Sequence, residues 1–268
     1  MNVIIFSKNR ASQLDLFIRS LKKYLVEFKD LTFNILYTYS DDKFKQGYEK
    51  LFTIHDESNL NYIKETKKFK EHILDIVDDE KKHIVFFVDD MIFKNEFSLK
   101  SKQFKLFTLD DNILTLSLRL HKNLSYCYPA RIHQSPPKFC SNNTFRWRGQ
   151  QGDYGYPMSL DGHFFRTVDM LLFLKVLNYN NPNSLESLLS SYPLNRPMMI
   201  CFDESKVLTI PANKVQNFNQ NVHGNISANF LNEQFLDGYI IDLEPFDGFK
   251  NISCHQEMKM EYIKYEKD

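Results

Sequence analysis

The stretch "HIVFFVDDMIF", residues 83–93, decides how the chain is read. Ile84, Val85, Phe86, Phe87 and Val88 form an unbroken run of β-branched and aromatic residues. A run this short and this apolar reads as a strand covered on both faces, as in a parallel sheet. Asp89 and Asp90 follow at once. Two adjacent carboxylates repel and stay ionised only beside a cation, a helix N-terminus or water. The carboxyl end of such a strand is where ligands of open α/β sheets gather. A solvated turn or a helix cap also favours Asp, so the pair alone leaves both readings open.

Upstream, strand and helix alternate. "NVIIF" (2–6) is a predicted strand and "ASQLDLFIRSLKKYLVEF" (11–28) a predicted helix, with Leu14, Phe17, Ile18, Leu21 and Leu25 on one face and Ser12 as a possible cap. "FNILYTY" (33–39) is a second strand that runs into Ser40, Asp41 and Asp42. A short helix at 45–52, a short strand at 53–57 and a long amphipathic helix at 60–77 complete the pattern. The basic residues from Lys64 to Lys70 sit on that last helix, as a solvated face or a peripheral membrane contact. Alternation of this kind implies right-handed βαβ units and a parallel sheet. Ser7 to Arg10, Asp41–Asp42 and Asp89–Asp90 then emerge on one edge, which makes a single ligand site plausible.

Composition narrows the classes. The chain has 268 residues, 43% hydrophobic and 25% charged, with 34 basic and 34 acidic side chains. Zero net charge offers no bulk attraction to nucleic acid. With 8 glycines there is no GxGxxG and no GxxxxGK[ST], so dinucleotide-fold dehydrogenases and P-loop enzymes lose their main support. Cys127, Cys140, Cys201 and Cys254 form no CxxC pair and fit reduced thiols. No signal peptide is evident, and the apolar run "MLLFLKVL" is broken by Lys175 short of transmembrane length. A cytoplasmic protein is expected.

Beyond residue 95 the rhythm changes. Helices are predicted at 98–109, 166–177 and 183–192, the last with Ser184 as cap, and strands at 112–120, 198–202 and 206–210. Residues 123–157 are irregular, rich in Pro and aromatics, and the tail from Gln256 reads as a helix. Loops this long inside a compact unit are usually functional.

On these residues the sequence resembles the GT-A class of nucleotide-sugar-dependent glycosyltransferases, family 2 in kind, closely over 2–93 and loosely beyond. The resemblance implies an α/β fold, a single GT-A-like (Rossmann-like) domain over 1–268, with a central mostly parallel sheet flanked by helices. A nucleotide-sugar half would span 1–95 and an acceptor half 96–268. It implies a metal-dependent transferase of the hexosyl type, moving sugar from a nucleotide-sugar donor to a hydroxyl of a glycan or glycolipid acceptor, as in surface polysaccharide synthesis. Ser7 and Arg10 would line the nucleotide loop, and Asp41 or Asp42 would meet the base. "FFVDD" stands where the family has an Asp-x-Asp-like motif, with Val88 in the place of the first Asp. Asp90 would then hold Mn²⁺ or Mg²⁺ at the diphosphate and Asp89 would reach ribose, sugar or a metal-bound water. His223 would complete the metal site. Asp161, in "MSLDGHFF", would be the catalytic base, with Asp153 next, although Asp161–Gly162 also reads as a plain turn. His163 and His255 have no partner evident in the sequence. The alternatives are a non-catalytic GT-A-like protein that binds nucleotide or glycan, and a sugar-phosphate nucleotidyltransferase, which normally needs a glycine-rich loop after its first strand.

Overall fold

The apolar runs become the strands of one sheet. The computed structural model describes residues 1–192, 195–215 and 223–266. In it β1 (Asn2–Lys8), α1 (Ala11–Tyr24), β2 (Phe33–Thr38), α2 (Asp42–Ile54), β3 (Leu60–Lys64), α3 (Phe69–Ile76) and β4 (His83–Val88) follow in turn. Then come β5 (Met91–Phe93), α4 (Lys102–Leu109), β6 (Ile113–His121), β7 (Tyr126–Cys127), β8 (Ile132–His133) and β9 (Thr144–Arg146). The chain continues through β10 (His163–Arg166), α5 (Thr167–Val176), α6 (Pro182–Ser190), β11 (Met198–Phe202) and β12 (Val207–Thr209). It ends in α7 (Ala228–Leu236), β13 (Tyr239–Ile241) and β14 (Tyr262–Lys264).

The central sheet has 8 strands in the order β3-β2-β1-β4-β10-β6-β11-β9. β3, β2, β1, β4, β6 and β11 share one direction, and β10 and β9 run against them. This is the expected α/β class with a mostly parallel sheet. Helices cover both faces because strand side chains alternate. Val3 and Ile5 of β1 meet Leu14, Phe17 and Leu21 of α1 on one face. Ile4 and Phe6 meet Phe69 and Ile73 of α3, with Met170 of α5 and Leu185 of α6, on the other. Burying each such side chain stabilises the fold by about 1.5–3 kcal/mol.

Several local expectations are corrected. Residues 60–77 are not one helix: β3 occupies 60–64 and pairs with β2 from Leu60↔Phe33 to Lys64↔Tyr37 before α3 starts. An open sheet edge outcompeted the helical pattern of that segment. No strand forms at 53–57, where α2 runs on to Ile54. The tail forms β14 against β13 rather than a helix. Ser12 does not cap α1; it lies buried in the first turn, and Arg10 stands at the N-cap without a side-chain bond to the helix. Asn181, not Ser184, caps α6, and Ser184 reciprocates in a capping box. The apolar stripe of α5 is shared between core and surface, with Met170 and Leu174 buried and Val168, Leu172 and Val176 exposed. Among the described residues no helix is long and apolar enough to cross a membrane.

Lys94, just past β5, is 2% exposed, and burial pushes its amine down to about 8 against the attraction of Glu204. An unfolded lysine titrates at about 10.4. Between these values the unfolded chain binds the extra proton, so stability rises with pH over that window. Lys94→Met removes the buried ammonium. It should raise the thermal midpoint at pH 7 and lose most of that advantage by pH 10. Calorimetry at the two pH values checks this; an equal shift at both would contradict it.

Candidate functional site

β1 and β4 are parallel neighbours, with Phe6 opposite Val88, so their carboxyl ends leave the sheet side by side. After β1, Asn9 takes a left-handed conformation (φ 57°), which Asn tolerates better than most residues. Its amide ties to Ser40 through Oδ1 accepting from Ser40 N (2.8 Å) and Nδ2 donating to Ser40 Oγ (3.0 Å). This turn sends Arg10 across the strand ends. Arg10 Nη1 donates to Asp89 Oδ1 at 3.0 Å and to Asp90 Oδ2 at 2.9 Å. Nε and Nη2 donate to Asn213 Oδ1 (2.8 Å) and Asn213 O (2.5 Å). Asp89 Oδ2 also accepts from Lys8 N at 3.0 Å, so both its oxygens are engaged.

Burial raises both Asp89 and Asp90 above the ordinary carboxylate range, and Arg10 opposes the shift without cancelling it. Asp90 is raised further by Asp161. This corner carries more negative charge than its own guanidinium balances. The chemistry of a carboxylate pair with one guanidinium is compatible with a hard divalent cation, for which Asp90 would be the protein ligand. Among the described residues no group of three or more His, Cys, Asp or Glu is assembled for a metal. His223 is exposed, with Nδ1 beside its neighbour's carbonyl, Gly224 O (2.7 Å).

Ser7 turns inward, its hydroxyl 2.7 Å from Tyr48 Oη. Asp41 caps α2, accepting from Lys43 N (3.0 Å) and Phe44 N (3.1 Å). Asp42 is exposed in the first turn, on the same sheet edge.

The second half reaches this edge because β10 runs antiparallel to β4. Residues just before β10 therefore lie at the carboxyl end of β4. Gly162 makes the turn (φ 69°), and a Cβ there would meet Met91 Cε at 2.9 Å. Asp161 precedes it and accepts on Oδ2 from Arg119 Nη1 (3.4 Å) and His255 Nε2 (3.2 Å). Burial by itself would raise Asp161; the hydrogen bond and charge of His255 with the Arg119 guanidinium hold it below the usual range. Asp153 is sealed at 3% exposure, accepting from Arg119 Nη2 (3.3 Å) and Gln134 Nε2 (3.2 Å). His163, fully buried, donates from Nδ1 to Pro157 O (3.0 Å), and burial pushes it down to about 3, so it is neutral.

The structure thus brings Arg10, Asp89, Asp90 and Asp161 together, seals Asp153 away from solvent and leaves His223 exposed. Reasoning from sequence missed Arg119, His255 and Tyr48. An arginine inside the apolar strand "ILTLSLRLH" signals that buried carboxylates await it. The other two carry no comparable signal.

No family model matches the chain. In sequence it is 26% identical to the bifunctional glycosyltransferase pgtA of Dictyostelium discoideum, in an alignment of 260 positions covering 82% of this chain and 33% of that protein. The chain spans about a third of the length of that relative. Among solved structures it is similar to the mannosyltransferase PcManGT from Pyrobaculum calidifontis in complex with GDP-Man and Mn²⁺ (TM-score 0.31, 12% identity, 48% of this chain and 41% of that one). It is similar to mouse xyloside xylosyltransferase 1 in its apo form (TM-score 0.36, 10% identity, 71% and 75% covered). At these scores the superpositions carry no argument about chemistry.

The Arg10 clamp has a measurable consequence. Breaking a buried ion pair by removing one partner costs about 3–5 kcal/mol, because a charge is left uncompensated. Arg10→Met should cost about that much, and adding Asp89→Asn to it should recover part of the loss. Denaturant unfolding of the two variants checks this. A loss under about 1 kcal/mol, the range of exposed pairs, would show the clamp to be incidental.

Proposed function

We propose that the chain is a glycosyltransferase that moves a sugar from a nucleotide-sugar donor to a hydroxyl of a glycan or glycolipid acceptor. The observation that carries this reading is the corner at the carboxyl ends of β1 and β4, where Arg10, Asp89 and Asp90 face Asp161 across the sheet. The sequence similarity to a bifunctional glycosyltransferase supports it. The donor occupies the 1–95 half and the acceptor the 96–268 half of a single domain. The described cysteines are free, which supports a reducing, cytoplasmic setting.

The chain's residues divide the work. The Ser7–Arg10 turn follows the nucleotide, and Arg10 gives the diphosphate a fixed cation close by. Asp89 holds that turn in place through Arg10 and Lys8 N. Asp90 would hold Mn²⁺ or Mg²⁺, and such a cation, when bound, would supply positive charge to offset that of the diphosphate. Both carboxylates are exposed, but Asp41 is engaged in capping α2, which leaves Asp42 for the base. Asp161, anchored by Arg119 and His255, orients the acceptor hydroxyl.

Asp90→Asn keeps the shape of the side chain and removes its charge. It should abolish Mn²⁺-dependent binding of UDP- or GDP-sugars in equilibrium dialysis and leave the fold intact. An affinity equal to that of the unaltered protein would remove Asp90 from the metal site. Asp42→Ala should weaken different sugars on one nucleotide by a similar factor, whereas losses that vary with the sugar would place Asp42 at the sugar instead.

A further inference from the structure

We propose that Arg10 keeps a divalent cation off Asp90 until a nucleoside diphosphate reaches the corner, so that the two are taken up together. This rests on the glycosyltransferase reading above and concerns how its donor site is controlled. Asp90 Oδ2, just past the end of β4, accepts from Arg10 Nη1 at 2.9 Å, and the same nitrogen donates to Asp89 Oδ1 at 3.0 Å. The side chains of Arg10, Asp89 and Asp90 are 10%, 4% and 13% exposed, so water does little to screen them. A cation at Asp90 Oδ2 would meet this guanidinium at contact distance and would need the electron pair that Nη1 already uses. The charge balance points the same way. Two carboxylates against one guanidinium leave a small net negative charge, and among the described residues no third His, Cys, Asp or Glu joins them in a metal-binding group. A cation held by so few protein oxygens needs phosphate oxygens as well.

A diphosphate supplies both missing parts. Phosphate oxygens accept from a guanidinium as readily as carboxylates do. With that anion at the Ser7–Arg10 turn, Nη1 donates to phosphate in place of Asp90, and Asp90 Oδ2 is released. One bond changes hands. The bonds from Arg10 to Asp89 and Asn213, and from Lys8 N to Asp89 Oδ2, stay as they are, so the turn keeps its shape. The two adjacent acids therefore differ in role. Asp89 is engaged through both oxygens and anchors the arginine, whereas Arg10 meets Asp90 at one oxygen and can give it up. Without a diphosphate the arginine neutralises Asp90, and the corner does not collect stray divalent ions.

Equilibrium dialysis with Mn²⁺ measured on both sides reads binding without turnover. With no nucleotide present, Arg10→Gln should bind Mn²⁺ about tenfold more tightly than the unaltered protein, inside the range typical of coupled sites. The direction decides the matter, because an arginine that merely holds the two carboxylates in place would weaken the metal site when removed. The gain should vanish when Asp90→Asn is added to Arg10→Gln. With UDP or GDP on both sides, Mn²⁺ affinity should rise more in the unaltered protein than in Arg10→Gln. Should Arg10→Gln fail to fold, Arg10→Gln with Asp89→Asn, set against Asp89→Asn alone, makes the same comparison with one buried charge fewer. No gain in nucleotide-free Mn²⁺ affinity, or a gain that survives Asp90→Asn, would overturn the proposal. The glycosyltransferase reading would still stand if UDP- or GDP-sugars bind the unaltered protein with Mn²⁺. If none of them binds, that reading falls and the role of Arg10 with it.

Discussion

Two buried guanidinium groups hold the working edge of this protein together. Asp89, Asp90, Asp153 and Asp161 crowd the carboxyl ends of neighbouring strands, where like charges repel in a poorly solvated space. Arg10 answers the first two and Arg119 the last two. Each arginine also joins distant parts of the chain: Arg10 ties the turn after β1 to the end of β4 and to Asn213, and Arg119 ties β6 to the turn before β10 and to Asp153. A planar fork with several donors suits this bridging better than an ammonium would. The edge is therefore preorganised, and its geometry does not wait for a ligand.

The two clamps leave different residues of charge. Beside β1 and β4, burial keeps Asp89 and Asp90 raised even with Arg10 in contact. Before β10, the hydrogen bond and charge of His255 together with Arg119 hold Asp161 below the usual range. One sheet edge thus carries raised and depressed carboxylates side by side, with β4 and β10 as the seam between them.

The fold was legible where the local signal and the tertiary demand agreed. The apolar runs at 2–6, 33–39 and 83–88 could only be buried strands, and the amphipathic α1 had to cover them. The reading failed at 60–64, where pairing with β2 overrode a helical pattern, and at 262–264, where pairing with β13 did the same. At the site, Asp89 and Asp90 stood out because two acids ended an apolar run. The capping role of Asp41 was missed, because Asp41 and Asp42 were read only as base contacts although Asp is also a favoured cap. His255 was invisible because its neighbours lie tens of residues away in sequence. No spacing rule links His255 to Asp161; the bridge between Thr209 and His255 beside β12 puts them together.

The central claim is that this edge is built for a nucleotide sugar. Thermal unfolding of the unaltered protein tests it most directly, because a ligand that binds the native state raises its apparent stability, by about 2.7 kcal/mol at a hundredfold excess over Kd. Across UDP- and GDP-sugars with and without Mn²⁺, the account expects one nucleotide to raise the midpoint by several degrees, and to do so more strongly with the metal. A midpoint unmoved by every nucleotide sugar at millimolar concentration, with Mn²⁺ present, would contradict it.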